Sequence, residues 1–250
     1  MRLRDVIKAI EEFAPPELAE AWDNCGLLVE GRTEVNSISV ILDPTVNTLD
    51  SAKGDLILSH HPLIFSPLKS IEHDIKRKIK ILLSKEQSFY AAHTTLDFAP
   101  QGVSWVLAQK IGLQEDDDSS PRMRTGTVPY GTVQELTDVV RIALEKKVLR
   151  VVGEKESIGR MAALPGSGFS EDIIDQCYDM GIETILSGDL KHHTAIKGMD
   201  LDMTLIDAGH RETEVPGIQY FAGYLEKHLK DVEIELIKPT KPWHYEIDQT

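Results

Sequence analysis

The 250-residue sequence predicts an α/β protein built from two layered domains. Helical and strand-like apolar patterns take turns along the chain, and this alternation is typical of a mostly parallel sheet covered by helices. With 41% hydrophobic residues the chain can bury one large core or two modest ones, and 27% charged residues are ordinary for a globular protein. We therefore expect two domains of the same class.

The first half of the chain supplies three strands and three helices. Apolar residues recur at helical spacing in MRLRDVIKAIEEF, between Asp74 and Leu83, and between Val103 and Ile111. The predicted strands lie in SISVILDP, DLILSH and SFYAAH.

An acidic, Ser- and Pro-containing run from Leu113 to Met123, LQEDDDSSPRM, interrupts this pattern and is the best candidate for a linker. Beyond it, Thr132 and Glu135 have capping-box spacing ahead of a helix, and a further helix follows Ser170. Strands are predicted in LRVVG, RMAALP, ETILSG and MTLIDAG, and the chain closes with a helix from about Pro216 and the strand VEIELI.

Composition excludes several classes of function. The formal net charge of −14 disfavours nucleic-acid binding, and no apolar run approaches the roughly 18 residues that a bilayer span requires. The N-terminus resembles an amphipathic helix rather than a signal peptide, so we expect a cytoplasmic protein. Cys25 and Cys177 form no CxxC motif and are too few for a disulfide scaffold.

Six of the nine histidines follow apolar strand-like runs: His60, His61, His93, His192, His193 and His210. Loops from the carboxyl ends of parallel strands meet at one edge of a sheet, so residues distant in sequence can converge there. Three of these histidine contexts, AAHTTLD, GDLKHH and DAGHRETE, carry a nearby acid. This pattern favours a site made of imidazoles and carboxylates.

Such a donor set suits a divalent transition metal (Zn, Fe, Mn, Co or Ni), whereas the lack of thiolates argues against a closed structural zinc site. One ion needs three protein ligands, and the chain offers five: His60, His61, Asp97, His210 and Glu214. Because five candidate ligands exceed the three that one ion needs, the sequence indicates two ions. His60 and His61 would face different ions, and Asp97 or Glu214 would bridge them.

Seven segments give the sequence a resemblance that spans nearly its whole length: WDNCGLLV, LSHHPLIF, AAHTTLD, RTGTV, LPGSG, LSGDLKHH and DAGHRETE. In this order they resemble the Nif-three-like dinuclear metal-binding family, whose members are often labelled GTP cyclohydrolase 1 type 2 homologues. The resemblance assigns the ligand roles to the same five residues. Arg211 stands where many relatives have an aromatic residue, and the chain has no room for the extra central domain of longer relatives.

The resemblance also implies a fold and an assembly. It implies two α/β domains, residues 1–122 plus about 208–250 as the metal-binding domain and about 123–207 as the second, so that the C-terminal segment returns to the first domain. It further implies a ring-shaped homohexamer.

Two functions of different classes follow from this site. The first is a metal-dependent hydrolase of the GTP cyclohydrolase type, which acts on a nucleotide or a cyclic amide or amidine through a metal-activated water, with His93 or His192 as the candidate catalytic residue. The alternative is a non-catalytic metal-binding ring, a scaffold or regulatory protein. In SGDLKHH, Asp189 is either the N-cap of a helix that carries His192 and His193, or a residue that contacts the substrate or a ligand.

Overall fold

The computed structural model describes residues 1–244, which form two compact α/β units. The first unit contains Met1–Glu12, Ala19–His93 and Ala222–Thr250, of which 245–250 lie outside the described residues; the second contains Phe13–Leu18 and Thr94–Phe221. The predicted α/β class with two domains and a returning C-terminal segment is confirmed. The predicted domain limits stay a prediction, because units defined by compactness need not coincide with domains.

The described residues form eleven strands and nine α-helices. The strands are β1 (Gly26–Val29), β2 (Ser37–Ile41), β3 (Leu56–Ser59), β4 (Ser88–Ala91), β5 (Gln114–Glu115), β6 (Arg124–Thr127), β7 (Arg150–Val152), β8 (Met161–Ala163), β9 (Thr184–Ser187), β10 (Thr204–Asp207) and β11 (Glu233–Leu236). The helices are α1 (Leu3–Phe13), α2 (Val46–Ser51), α3 (His73–Ser84), α4 (Thr94–Asp97), α5 (Val103–Lys110), α6 (Val133–Ala143), α7 (Glu171–Asp179), α8 (His192–Asp200) and α9 (His210–His228). Within residues 1–244, no helix combines the length and apolarity needed to cross a membrane.

The first unit contains a five-stranded sheet in the order β1-β4-β3-β2-β11. The strands β4, β3, β2 and β11 run parallel, and β1 is antiparallel to β4 at one edge. Every residue of β3 and β4 is buried, which explains why both strands are mostly apolar. Because β2, β3 and β4 are parallel neighbours, the residues that follow them reach the same edge of the sheet.

The second unit contains a six-stranded sheet in the order β5-β6-β8-β9-β10-β7. Only the central strands β8, β9 and β10 are parallel to one another, whereas β7, β6 and β5 add antiparallel pairings. The expected parallel arrangement is therefore found only at the centre of this sheet, and the strands at its edges pair antiparallel. The carboxyl ends of β9 and β10 lead to Asp189 and His210.

The segment from Leu113 to Met123, expected to be a linker, instead forms part of the second unit. It contains β5 and a turn in which Asp116 and Asp118 accept hydrogen bonds from Arg160 at 2.7 and 2.6 Å. The Arg160 guanidinium lowers the pKa of Asp116 to about 2. The acidic run thus has a cationic partner, supplied by a residue 42 to 44 positions away that local composition does not reveal.

The helix expected from about Pro216 begins six residues earlier, at His210. Pro216 therefore lies inside the helix, where it lacks the N–H that would bond to the preceding turn. The Thr213 hydroxyl donates to the carbonyls of Gly209 and His210 in this first part of the helix. The earlier start places both His210 and Glu214 on α9.

Candidate metal-binding site

His60 and His61 follow β3 and continue its pairing with the chain beyond β2. Their backbone N–H groups donate to the carbonyls of Ile41 and Leu42, both at 3.0 Å, which fastens the bend that they form to the end of β2. The two side chains reach towards opposite neighbours of β3: His60 Nδ1 lies 3.0 Å from the Ala92 carbonyl after β4, and His61 Nδ1 lies 2.8 Å from Asp43 after β2. The strand has therefore ended before the pair, and the two rings lie together with their centroids 5.0 Å apart, while their Nδ1 atoms face oxygens on opposite sides of β3.

His93 joins this pair from the end of β4. Its ring centroid lies 5.1 Å from that of His60 and 5.5 Å from that of His61. One ligand nitrogen from each of the three histidines falls within 4.8 Å of the other two, which makes them a group that could hold a metal ion. His93 Nδ1 lies 3.0 Å from Asp23, whose side chain is completely buried.

His210 and Glu214 form a second donor pair, in the second unit. They lie one helical turn apart on α9, and His210 Nε2 is 3.0 Å from Glu214 Oε1. The Glu214 side chain is 3% exposed, so a carboxylate is buried beside the imidazole. Two lone-pair donors at this distance repel each other unless a proton or a cation lies between them. The pair therefore has the chemistry of a cation site.

Asp189 positions His210 rather than capping a helix. The N-cap of α8 is Lys191, which makes no side-chain cap, and Asp189 Oδ2 instead lies 2.7 Å from His210 Nδ1. Asp189 adopts a left-handed conformation with φ +60°, a backbone state that Asp tolerates better than most residues. The N-cap alternative is wrong, and a role as the partner of His210 fits the structure.

All four of these histidines present Nδ1 to an oxygen. The acceptor is a carboxylate for His61, His93 and His210, and a backbone carbonyl for His60. An imidazole that donates from Nδ1 has its proton there and carries its lone pair on Nε2. Metal-binding histidines almost always donate their other ring N–H in this way, which fixes the ring and raises its basicity. The donor set thus fits a divalent transition metal.

A glycine in the LPGSG segment packs against the second donor pair. A Cβ atom at Gly166 would lie 2.4 Å from Glu214 Oε1 and 3.5 Å from His210 Nε2, and Gly166 has φ +63°. The Gly166 backbone N–H also donates to the Thr213 hydroxyl at 2.9 Å. At Gly166 this segment therefore lies against the second donor pair, at a position that only a glycine fits.

The remaining predicted residues lie as follows. Asp97 is the last residue of α4 and is partly buried, and its carbonyl accepts a hydrogen bond from Ser104 at 2.8 Å. His192 and His193 are exposed in the first turn of α8, and His193 lies 3.9 Å from Glu171.

Arg211, the residue that departs from many relatives, lies beside the donor pair on α9. Its guanidinium is 3.3 Å from Glu212, which also accepts from Lys146 at 3.2 Å. Both members of the Arg211–Glu212 pair are mostly buried. Arg211 thus has a local structural partner.

Sequence reasoning missed the oxygen partners of the histidines. The sequence places Asp43 only at the end of the predicted strand SISVILDP and indicates no function for Asp23, yet these two carboxylates orient His61 and His93. A signal for Asp43 was present, because it follows β2 at the edge where His60 and His61 follow β3. For Asp23 no local signal existed, since its partner is 70 residues away.

The family model for Duf34/NIF3 (NGG1p interacting factor 3) matches residues 1–242. The chain belongs to the DUF34/NIF3 family. The resemblance predicted from the seven sequence segments is thereby confirmed. Family membership and the donor groups together identify a NIF3 protein with histidine and glutamate groups that could bind metal.

Two curated relatives and one solved structure illustrate the similarity. A GTP cyclohydrolase 1 type 2 homolog of Methanocaldococcus jannaschii is 31% identical over 244 residues, which cover 94% of this chain and 98% of the relative. A protein of the same name from a Nostoc species is 34% identical over 233 residues, covering 86% and 88%. The structure of reduced HcgD from M. jannaschii superposes with a TM-score of 0.86 at 30% identity, covering 95% and 98%. The fold of this chain is thus similar to that of a solved structure over nearly the whole length of both chains.

Proposed function

We propose that this NIF3 protein binds two divalent transition-metal ions and acts as a hydrolase of the GTP cyclohydrolase type on a nucleotide or a cyclic amide or amidine. The proposed ligands are His60, His61, Asp97, His210 and Glu214. The observation that carries the proposal is that each histidine among them donates Nδ1 to an oxygen, as metal-binding histidines do. The curated names of the relatives support the reaction type.

The donor set favours Zn, Fe, Mn, Co or Ni, because imidazole and carboxylate together suit these ions. When bound, such an ion polarises a substrate oxygen and makes water more acidic, which is the chemistry that hydrolysis of an amide, amidine or phosphoryl group needs. Its positive charge also offsets the repulsion between an anionic substrate and a chain of net charge −14.

Within the first unit, His93 is the better placed of the two candidate catalytic residues, because its ring contacts the rings of His60 and His61. Donation from Nδ1 to the buried Asp23 leaves Nε2 as the nitrogen that takes up or releases a proton. The Asp23 carboxylate holds the orientation of the ring. His192 is the alternative candidate and is exposed at the start of α8.

Turnover is expected to depend on both metal and Asp97. Metal-loaded protein should hydrolyse GTP or a related cyclic substrate, lose this activity on chelation and regain it with added divalent metal. Asp97→Ala should lower the rate by at least about 10- to 100-fold, the loss that removal of a ligand's outer partner already causes. Steady-state assays on nucleotides and cyclic amides measure this.

The contrary result is that metal-loaded protein turns over none of these nucleotides or cyclic amides, or that any turnover persists in Asp97→Ala. The protein is then better described as a non-catalytic metal-binding ring. Asp117→Ala is the matched control for a general effect of charge removal, because Asp117 is an acidic residue of the β5–β6 turn rather than a proposed ligand.

The proposed assembly is a homohexamer, carried by the family resemblance. Light scattering at micromolar concentration should give about six times the chain mass of 27.9 kDa. A stable monomer under these conditions would contradict this proposal and leave the metal ligands to be tested separately.

A further inference from the structure

Two exposed aromatic side chains flank His93 in the first unit. The ring centroid of Trp22 lies 5.9 Å from that of His93, and the centroid of Phe65 lies 5.7 Å from it. The interplanar angles are 75° and 90°, so both contacts are edge-to-face. Phe65 also lies 6.4 Å from His61. Trp22 is 62% exposed and Phe65 is 50% exposed, although large aromatic side chains are favoured in cores.

The two residues that follow Trp22 are both held in place by side-chain hydrogen bonds. The next residue, Asp23, is buried and accepts from His93, and the residue after it, Asn24, donates to the Ile64 carbonyl at 2.7 Å. The Asn24 bond ties the turn that carries Trp22 to the loop that carries Phe65. The two exposed rings are therefore presented beside the histidines by neighbours that are themselves fixed.

We propose that Trp22 and Phe65 bind a planar heteroaromatic ring of the substrate, such as a nucleobase, beside His61 and His93. Exposed aromatic faces bind bases by stacking, and they do so whatever the charge of the ligand. Such contacts suit a chain of net charge −14, because an uncharged ring adds affinity without electrostatic cost. This inference rests on the proposed function, since it assigns the substrate class to the same site.

The test uses the full-length, metal-replete protein with guanosine as the planar probe and ribose as the probe without a base. Calorimetry should show guanosine binding by the unaltered chain and none for ribose at equal concentration. Trp22→Leu and Phe65→Leu should each weaken guanosine binding roughly five- to tenfold, because leucine keeps an apolar side chain but has no ring to stack. Trp22→Phe should keep most of the affinity.

Tyr178→Leu provides the matched control, because Tyr178 is an exposed aromatic residue on α7 outside the histidine group. It should leave guanosine binding unchanged. The inference is overturned if the unaltered chain does not bind guanosine, if both leucine variants bind it normally, or if the control loses as much affinity. It is also overturned if the leucine variants lose assembly mass in light scattering while keeping guanosine affinity, since the rings would then serve contact between copies.

Metal analysis of the same samples separates this inference from the proposed function. Both leucine variants should hold as much metal as the unaltered chain, because neither side chain is a proposed ligand. If the chain holds metal but both leucine variants keep the full guanosine affinity, the inference is refuted and the proposed function is not. A chain that binds guanosine through the rings but holds no metal refutes the proposed function alone.

Discussion

Replacing Glu214 with alanine is expected to lower the bound divalent metal from about two ions per chain to one or fewer, while the chain stays folded. Glu214 is buried against His210, and alanine removes the carboxylate that this imidazole faces. His61→Ala should have a similar effect, because it removes an imidazole whose Nδ1 is already committed to Asp43. Elemental analysis after purification without chelators measures the loss, and circular dichroism reports the fold.

Two control variants make this result specific. Glu226→Ala removes an exposed carboxylate from the same helix, α9, and His73→Ala removes an exposed imidazole at the start of α3. Both should keep the metal content of the unaltered chain. Full occupancy in Glu214→Ala and in His61→Ala would show that these residues are not ligands.

Gly166→Ala is expected to destabilise the second unit and to lower metal content together. The left-handed backbone at φ +63° costs a non-glycine residue about 1–2 kcal/mol. In addition, the new Cβ would lie 2.4 Å from Glu214 Oε1, so the carboxylate must move away from His210. Urea unfolding gives the change in free energy of unfolding, and elemental analysis gives the metal content.

Gly181→Ala separates the two effects. Gly181 has a similar φ of +70°, but nothing lies within 4 Å of the position of its Cβ. This variant should therefore show the backbone cost of about 1–2 kcal/mol alone, with unchanged metal content. If Gly166→Ala is no less stable than Gly181→Ala and keeps its metal, the LPGSG segment has no part in positioning Glu214.

The elements around the candidate site could be predicted because their signals are local. The runs that became β3 and β4 are mostly apolar, as buried parallel strands require, and His60, His61 and His93 come within two residues of their ends. The spacing of His210 and Glu214 is also local, and the start of α9 at His210 turns that spacing into a contact at 3.0 Å.

The partners that orient the histidines could not be predicted because they depend on tertiary structure. Asp23 is 70 residues from His93, and Asp189 is 21 residues from His210. In the sequence Asp189 has the features of a helix cap, and only the fold shows that its carboxylate turns to His210 instead. The acidic run near Asp116 was wrongly predicted to be a linker for the same reason. Its cationic partner, Arg160, lies between β7 and β8, far away in sequence.

Two short elements, β1 and α2, also could not be predicted from local sequence patterns. The four residues of β1 are partly exposed and gain their extended conformation from pairing with β4. The six-residue helix α2 depends on a cap in which the Thr45 side chain accepts from the Thr48 N–H, and it contributes a single buried side chain, Leu49. Neither segment is long enough to show a clear hydrophobic period.

The metal content of the unaltered chain decides whether this protein holds a dinuclear metal centre. Protein purified without chelators and in metal-replete conditions should contain close to two divalent transition-metal ions per chain by elemental analysis. This result would agree with four histidines that each donate Nδ1 to an oxygen and so carry a lone pair on Nε2. A content near zero under the same conditions would show that the chain is not a dinuclear metal protein.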